Sequence, residues 1–222
     1  MARSTTLFGV GVYDLLQASH LLGIEERTLA RWAKPDKANH PPLLEPSHGW
    51  AYSFHDLVSL AVIAVLRQRT VTAKGVRETL RQLHERMPGV HRPLAHSDVI
   101  DALSTAGGSV ILAAEATDLS RGGQGVLLAT VESYLKPIEY GSDRLAKLWR
   151  PVEHILVDPD VQVGHPCIEF TRITTETIAG RRAQGESAAL IADDLDITEA
   201  EAVAAVDFET QLDEGIGIAH VA

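Results

Sequence analysis

The chain has 222 residues, 45% hydrophobic and 23% charged, with a formal charge of -10 at neutral pH. That much apolar material can fill two or three small cores, which excludes a disordered chain and points to a multi-domain globular protein. The charge is uneven: residues 1–100 hold twelve Lys and Arg against nine Asp and Glu, residues 101–222 eight against twenty-one, so only the front half suits a polyanion.

The N-terminal MARSTTLFGVGVYDLL has no apolar stretch followed by a small-residue cleavage site, so no secretory signal is read and a cytoplasmic location is expected. In YDLLQASHLLGIEERTLARWAK, Leu15, Ala18 and Leu22 share one helical face. Gly23 supplies a turn, and Leu29, Trp32 and Ala33 begin a second apolar face. This is a helix-turn-helix pattern. Arg27, Arg31 and Lys34 fall at i, i+4 and i+7 opposite Leu29 and Trp32, with Thr28 flanking them. Such a face can pair with phosphate oxygens and reach base edges, or it can be a solvated helix surface.

Between His40 and Tyr52, two short apolar pieces, Pro41–Leu44 and Gly49–Tyr52, flank a polar turn and predict a hairpin or wing. Ser53 with Asp56 forms a capping-box variant ahead of a helix reaching about Arg69. The apolar run Leu57–Leu66 is far shorter than the roughly 20 residues that span a bilayer, so it reads as a core helix. Thr72 caps a further helix with core positions Val76, Leu80 and Leu83, ended by Pro88 and Gly89. Lys74, Arg77 and Arg81 share its outer face and are candidates for backbone phosphate contacts.

The order helix, turn, helix, wing, helix, helix resembles the MerR-like winged-helix family. Tyr13, Ala18, Gly23, Ile24, Thr28, Leu29, Arg31, Trp32, Tyr52, Asp56 and Leu57 carry the resemblance. It implies that the second helix enters the major groove, with Arg27, Thr28 and Arg31 as readers, and that the wing, with His48, Trp50 and Tyr52, touches the flanking backbone; Lys34, at the end of the cationic stripe, is a further DNA-binding candidate.

The middle region reads as a small α/β unit. Ser97 caps a short helix bearing Val99, Ile100 and Leu103, which stops at Gly107 and Gly108; Ser109–Ala113 is a buried strand. RGGQG at Arg121–Gly125 is a tight turn that lacks the Lys-Ser or Lys-Thr of a P-loop. Val126–Tyr134 is helical, and Leu135–Tyr140 is an edge strand because Pro137 cannot donate to a ladder.

From Ile155, an extended segment punctuated by Asp158-Pro159 and Gly164–Pro166 precedes three short helices. The first is about Thr175–Ala183, the second carries Ala188, Ile191 and Ala192, and the third is capped by Thr198 with Glu201 and has the apolar set Ala202, Val203, Ala205 and Val206. Cys167, the only cysteine, excludes an internal disulfide and reads as a small apolar filler. The segment is similar to a trihelical domain family found in VapB-type antitoxins, on Asp158, Pro159, Gly164, Pro166, Ile168, Thr171, Arg172, Ile173, Gly185, Glu186, Ala192, Leu195, Thr198 and Glu201. Phe170 stands where that family usually has glycine.

This resemblance implies an antitoxin of a type II pair that binds a PIN-like ribonuclease and represses its own operon. Such a nuclease holds Mg²⁺ with carboxylates, and an antitoxin can place a cation among them. Arg172, Arg181 and Arg182 are the only cations after Arg150 and are therefore the toxin-binding candidates; Arg172 is equally a partner for a local carboxylate.

The expected fold is mainly α (α+β). A winged helix-turn-helix domain spans 1–92, a small α/β unit 93–150 and a three-helix toxin-binding domain 151–222. The expected partners are operator DNA, a PIN-like ribonuclease toxin and a second copy of the chain, because winged modules generally bind paired half-sites. No cofactor, metal or catalytic residue is expected, since the ten histidines are scattered without ligand spacing. A ligand-responsive MerR-like transcription regulator is the alternative.

Overall fold

The computed structural model describes residues 10–36, 40–68, 71–105 and 138–217. Among these, eight α-helices and two two-stranded antiparallel sheets make a mainly α fold with a small β component, as expected from the sequence.

Helix α1 (Leu15–Leu22) starts at a capping box. Asp14 accepts from the Gln17 amide at 2.8 Å, and the Gln17 side chain accepts from the Asp14 amide at 2.9 Å. It ends at Gly23, whose φ of 62° lets its amide close on the His20 and Ser19 carbonyls. Helix α2 (Glu26–Trp32) buries Leu29 and Trp32 in the core that holds Ala18, Leu21 and Leu22. Helix α3 (Phe54–Gln68) is the central element, with every residue from Asp56 to Leu66 buried. A helix apolar all round must be enclosed on all sides.

Its buried carboxylate is Asp56. It accepts from the Ser53 amide at 2.8 Å, the Ser47 amide at 2.8 Å and the Ser47 hydroxyl at 2.9 Å, and pairs with the Arg92 guanidinium. The Asp56 amide in turn donates to the Ser53 hydroxyl at 3.1 Å, which completes the expected capping box. Those partners are what make a fully buried charge tolerable. Helix α4 (Ala73–Arg86) is capped by Thr72, which accepts from Gly75 at 3.0 Å, and buries Val76, Thr79 and Leu83.

The expected hairpin between Pro41–Leu44 and Gly49–Tyr52 does not form. The amides of Leu43 and Leu44 donate to the Trp32 carbonyl at 2.8 and 3.3 Å, while Tyr52 pairs with Tyr13 in an isolated antiparallel bridge. The second apolar piece therefore pairs back toward the start of the module, and the wing is a loop pinned under α2.

Helix α5 (Ser97–Thr105) follows a 3₁₀ turn, Pro93–Ala95. Its capping acceptor is His96, whose Nδ1 takes the Asp98 amide at 3.2 Å, one position before the expected Ser97. Strand β1 (Ile138–Tyr140) covers the end of the expected edge strand. Its partner β2 (Ala146–Trp149), with Ile138 opposite Trp149, is an addition to what the sequence pattern suggests. The readings for Gly107–Ala113, Arg121–Gly125 and Val126–Tyr134 lie outside the described residues.

In the rear, β3 (Ile155–Leu156) pairs with β4 (Cys167–Ile168) and leads to helices α6 (Thr175–Ala183), α7 (Ala188–Leu195) and α8 (Glu199–Asp213). The α8 box is as expected: Thr198 accepts from the Glu201 amide, and the Thr198 amide donates to Glu201 at 2.7 Å, which holds that carboxyl below its usual range. The buried face of α8 is Ala202, Ala205, Phe208 and Leu212; Val203 is exposed and Val206 only half-buried. Steps of three, three and four residues select the former set, so the valines fall beside the stripe. Cys167 is buried as expected, which pushes its thiol up to about 11.

Front and rear share one continuous core. Tyr13 joins them: its buried hydroxyl donates to the Gly164 carbonyl at 2.8 Å, the neighbouring Val12 amide donates to Val163 at 3.0 Å, and burial drives the phenol far above its ordinary range.

Candidate functional site

On α2 the guanidinium groups of Arg27 and Arg31 are exposed, as is Lys34 just beyond the helix end, and Thr28 is half-buried. Arg31 approaches the Thr28 hydroxyl at 3.4 Å. Among the described residues no carboxylate forms an ion pair with Arg27, Arg31 or Lys34. The outward direction of this face follows from the sequence, because apolar positions Leu29 and Trp32 fix which side of a two-turn helix points inward.

The loop beside it is firmly held. Its tight turn is closed by the His48 amide on Ala51 at 3.1 Å and the Gly49 amide on Pro46 at 3.2 Å, with Gly49 at φ 76°. Ser47 is fastened to Asp56, and Arg92 also donates to the Glu45 carbonyl at 2.6 Å. This presents Trp50, 69% exposed, at the tip, with His48 half-buried. An indole held out by a polar anchor beneath it is placed for a partner surface.

Three of the expected front residues, Tyr52, Arg77 and Arg81, are used elsewhere, and Arg81 pairs with Glu78 and Glu85 on its own helix. Tyr52 is a core side chain, only 2% exposed, and cannot present its ring to DNA. Arg77 donates from Nε to the Pro41 carbonyl at 2.7 Å and pairs with Asp36 at 3.2 Å, so it braces the segment after α2. Lys74 is exposed.

The three rear cations also divide. Arg181 pairs with Glu186 and with Asp194 at 2.6 Å, stapling α6 to α7, and Arg182 donates to the Glu186 carbonyl at 3.0 Å. Arg172 is exposed and among the described residues has no carboxylate in an ion pair; its carbonyl accepts from the Gln162 side chain at 2.8 Å. Two positions before it is Phe170, 95% exposed at φ 62°, and next to Gln162 is Val163, 47% exposed at φ 57°. Left-handed backbone costs a bulky side chain about 1–2 kcal/mol. The Phe170 turn is nonetheless well bonded, with the Thr171 hydroxyl donating to Ile168 at 2.8 Å and accepting from Ile173 at 3.1 Å. Phe170 and Val163 are not among the site residues the sequence suggests; the available signal was a phenylalanine at a glycine position.

Among the described residues no group of His, Cys, Asp and Glu could hold a metal ion, and no helix is long and apolar enough to cross a membrane.

Two family models match parts of the chain. Residues 13–83 match the MerR HTH family of regulatory proteins, and residues 155–208 match a protein family of unknown function, DUF433. Over its length the chain is 26% identical to a proposed antitoxin, VapB45, of Mycobacterium tuberculosis, covering 86% of this chain and 90% of that protein. The fold is similar to the crystal structure of Rv2018 from Mycobacterium tuberculosis, with a TM-score of 0.66 at 22% identity over 90% of this chain and 99% of that one. Residues 13–83 are thus similar to a MerR-type helix-turn-helix, and the chain is similar to a protein named as an antitoxin.

Proposed function

We propose that the chain is the antitoxin of a type II toxin-antitoxin pair, acting in the cytoplasm as a homodimer. It binds operator DNA through α2 and the Trp50 loop, and restrains a PIN-like ribonuclease through its rear module, 151–222. The observation that carries this reading is the α2 face: three cations with no carboxylate in an ion pair among the described residues, on a chain of charge -10. Unneutralised cations on a helix supported from behind suit phosphate and base edges. With Arg77 and Arg81 engaged internally, four of the candidate front cations remain for phosphate: Arg27, Arg31, Lys34 and Lys74. Four phosphates neutralised per protomer give a slope of log affinity against log salt of about -3.6.

In the rear, Phe170 and Arg172 have the character of interface anchors, a large aromatic and an arginine held outward. Arg172 supplies the cation that a carboxylate-rich metal site would accept. The acidic side chains of the rear module, which include Asp193, Asp194, Asp196 and Glu199, steer a partner with a basic rim.

The test uses the purified full chain with its own upstream DNA across a salt series, and a pull-down from the native cell. A salt-dependent complex together with recovery of a PIN-like nuclease supports the reading. A slope near zero and no nuclease overturn it. A ligand-responsive regulator is the second reading, and a cleft between the front and rear modules favours it.

A further inference from the structure

A cavity of about 560 Å³ opens between α1 of the reading module and helices α6 and α8 of the rear module. This size is in the range that holds small organic ligands. Its walls are mostly apolar, with Leu16, Leu21, Pro166, Ala183 and Leu212 among them. Leu16, a lining residue on α1, is 62% exposed.

At its base is Glu209, whose side chain is only 15% exposed. One carboxylate oxygen takes the Thr175 hydroxyl, and the other is 3.8 Å from His20 Nε2, beyond hydrogen-bond reach. A carboxylate has about four acceptor positions, so Glu209 keeps capacity toward the cleft. Glu176 and Asp213 also face the space, and among the described residues the lining holds no Lys or Arg; its basic groups are His20 and His165. The charge of the walls therefore selects a cation.

A separate feature bears on the room in the cleft. Gly180 lies inside α6, where glycine weakens a helix relative to alanine. A Cβ at Gly180 would meet no atom within 4 Å, so packing within the chain does not require the glycine. What its missing side chain provides is room in the cleft.

We propose that this cleft binds a small organic cation, an ammonium or amidinium head on an apolar body. Glu209 accepts hydrogen bonds from the head, while Leu16, Leu21 and Leu212 enclose the body. One wall is α1 and the other is α6 with α8, so the bound molecule bridges the DNA-reading helices and the rear module and favours their docked arrangement. The inference stands whether or not the rear module holds a nuclease.

The test titrates the full chain, followed by amide NMR shifts, with three probes of matched body: 2-phenylethylamine, 2-phenylethanol and 3-phenylpropanoate. The amine is expected to bind at least tenfold more tightly than the alcohol, the carboxylate not at all, with shifts concentrated on α1, α6 and α8. Glu209→Gln, which still accepts from Thr175, is expected to erase the tenfold preference without lowering the melting temperature. Gly180→Leu is expected to weaken amine and alcohol alike by filling the space. Equal binding of amine and alcohol, binding of the carboxylate, an unchanged preference in E209Q, no binding of the amine at millimolar concentration, or shifts centred on the outer acids Asp193 and Asp194 would each overturn the proposal.

Discussion

Asp56→Ala removes the buried carboxylate that ties α3 to the loop beneath the reading helix. Three donors lose their acceptor, the Ser47 amide, the Ser47 hydroxyl and the Ser53 amide, and the Arg92 guanidinium, 16% exposed, loses its counter-charge. Breaking a buried ion pair by deleting one partner costs about 3–5 kcal/mol. The lost cap of α3 overlaps with that figure and is not added to it. Arg92 keeps its bond to the Glu45 carbonyl, which favours the lower end, about 3 kcal/mol. Against a total stability of roughly 5–15 kcal/mol this is a large fraction. For a chain of this size it lowers the melting temperature by roughly 6–12 °C. The assay is urea unfolding by circular dichroism for wild type, D56A, R92A and the double variant. Coupling between the two sites of about 2 kcal/mol is expected. A loss below about 1 kcal/mol, or strict additivity, would refute the account of Asp56 as the paired anchor. Because Ser47 is fastened through it, D56A also loosens the Trp50 loop, so DNA affinity falls by more than the unfolded fraction explains.

Arg27→Ala and Arg31→Ala are expected to leave the melting temperature unchanged and to reduce the DNA salt slope by about 0.9 for each phosphate left without its cation; a binding titration across salt concentrations decides this. Phe170→Gly relieves left-handed backbone and is expected to raise stability by about 1 kcal/mol in urea unfolding while weakening capture of the protein partner; a variant that is less stable, or one that captures the partner undiminished, contradicts this role for Phe170. Tyr13→Phe leaves the Gly164 carbonyl without its donor and is expected to cost about 1–3 kcal/mol, read from the urea midpoint. Burial raises the Glu209 carboxyl above its ordinary range, against the Thr175 bond and His20, with Glu176 and Asp213 adding to the rise. The folded chain therefore holds that proton to higher pH than the unfolded chain, and stability falls as pH climbs from about 4.3 through the folded value. E209Q is expected to gain on wild type as pH climbs above about 4.3 in paired urea titrations, and an opposite drift contradicts the assignment.

The helices were legible because their causes are local. Leu15, Ala18 and Leu22, then Gly23, then Leu29 and Trp32 specify two helices and a turn through spacing and backbone freedom alone, and that fixes the outward direction of Arg27, Arg31 and Lys34. The Ser53 and Thr198 boxes were readable for the same reason, since a cap and its partner are three residues apart. The fates of the remaining cations were not readable. Arg31, Arg77 and Arg181 look alike in sequence, yet Arg77 finds Asp36 and Pro41, and Arg181 finds Asp194, through pairings that exist only once helices have packed. Tyr52 likewise went inward because its backbone pairs with Tyr13, not with the Leu43 strand its local pattern suggested.

The sequence by itself determined a basic reading helix at the front and an acidic trihelical rear, because periodicity, caps and charge are properties of short stretches. Only the tertiary structure decided which arginines are drawn into internal ion pairs, that Phe170 is driven outward on left-handed backbone, and that α1 and α8 enclose a cleft over Glu209. Each of these depends on which distant surfaces meet, and that is set by the packing of one shared core.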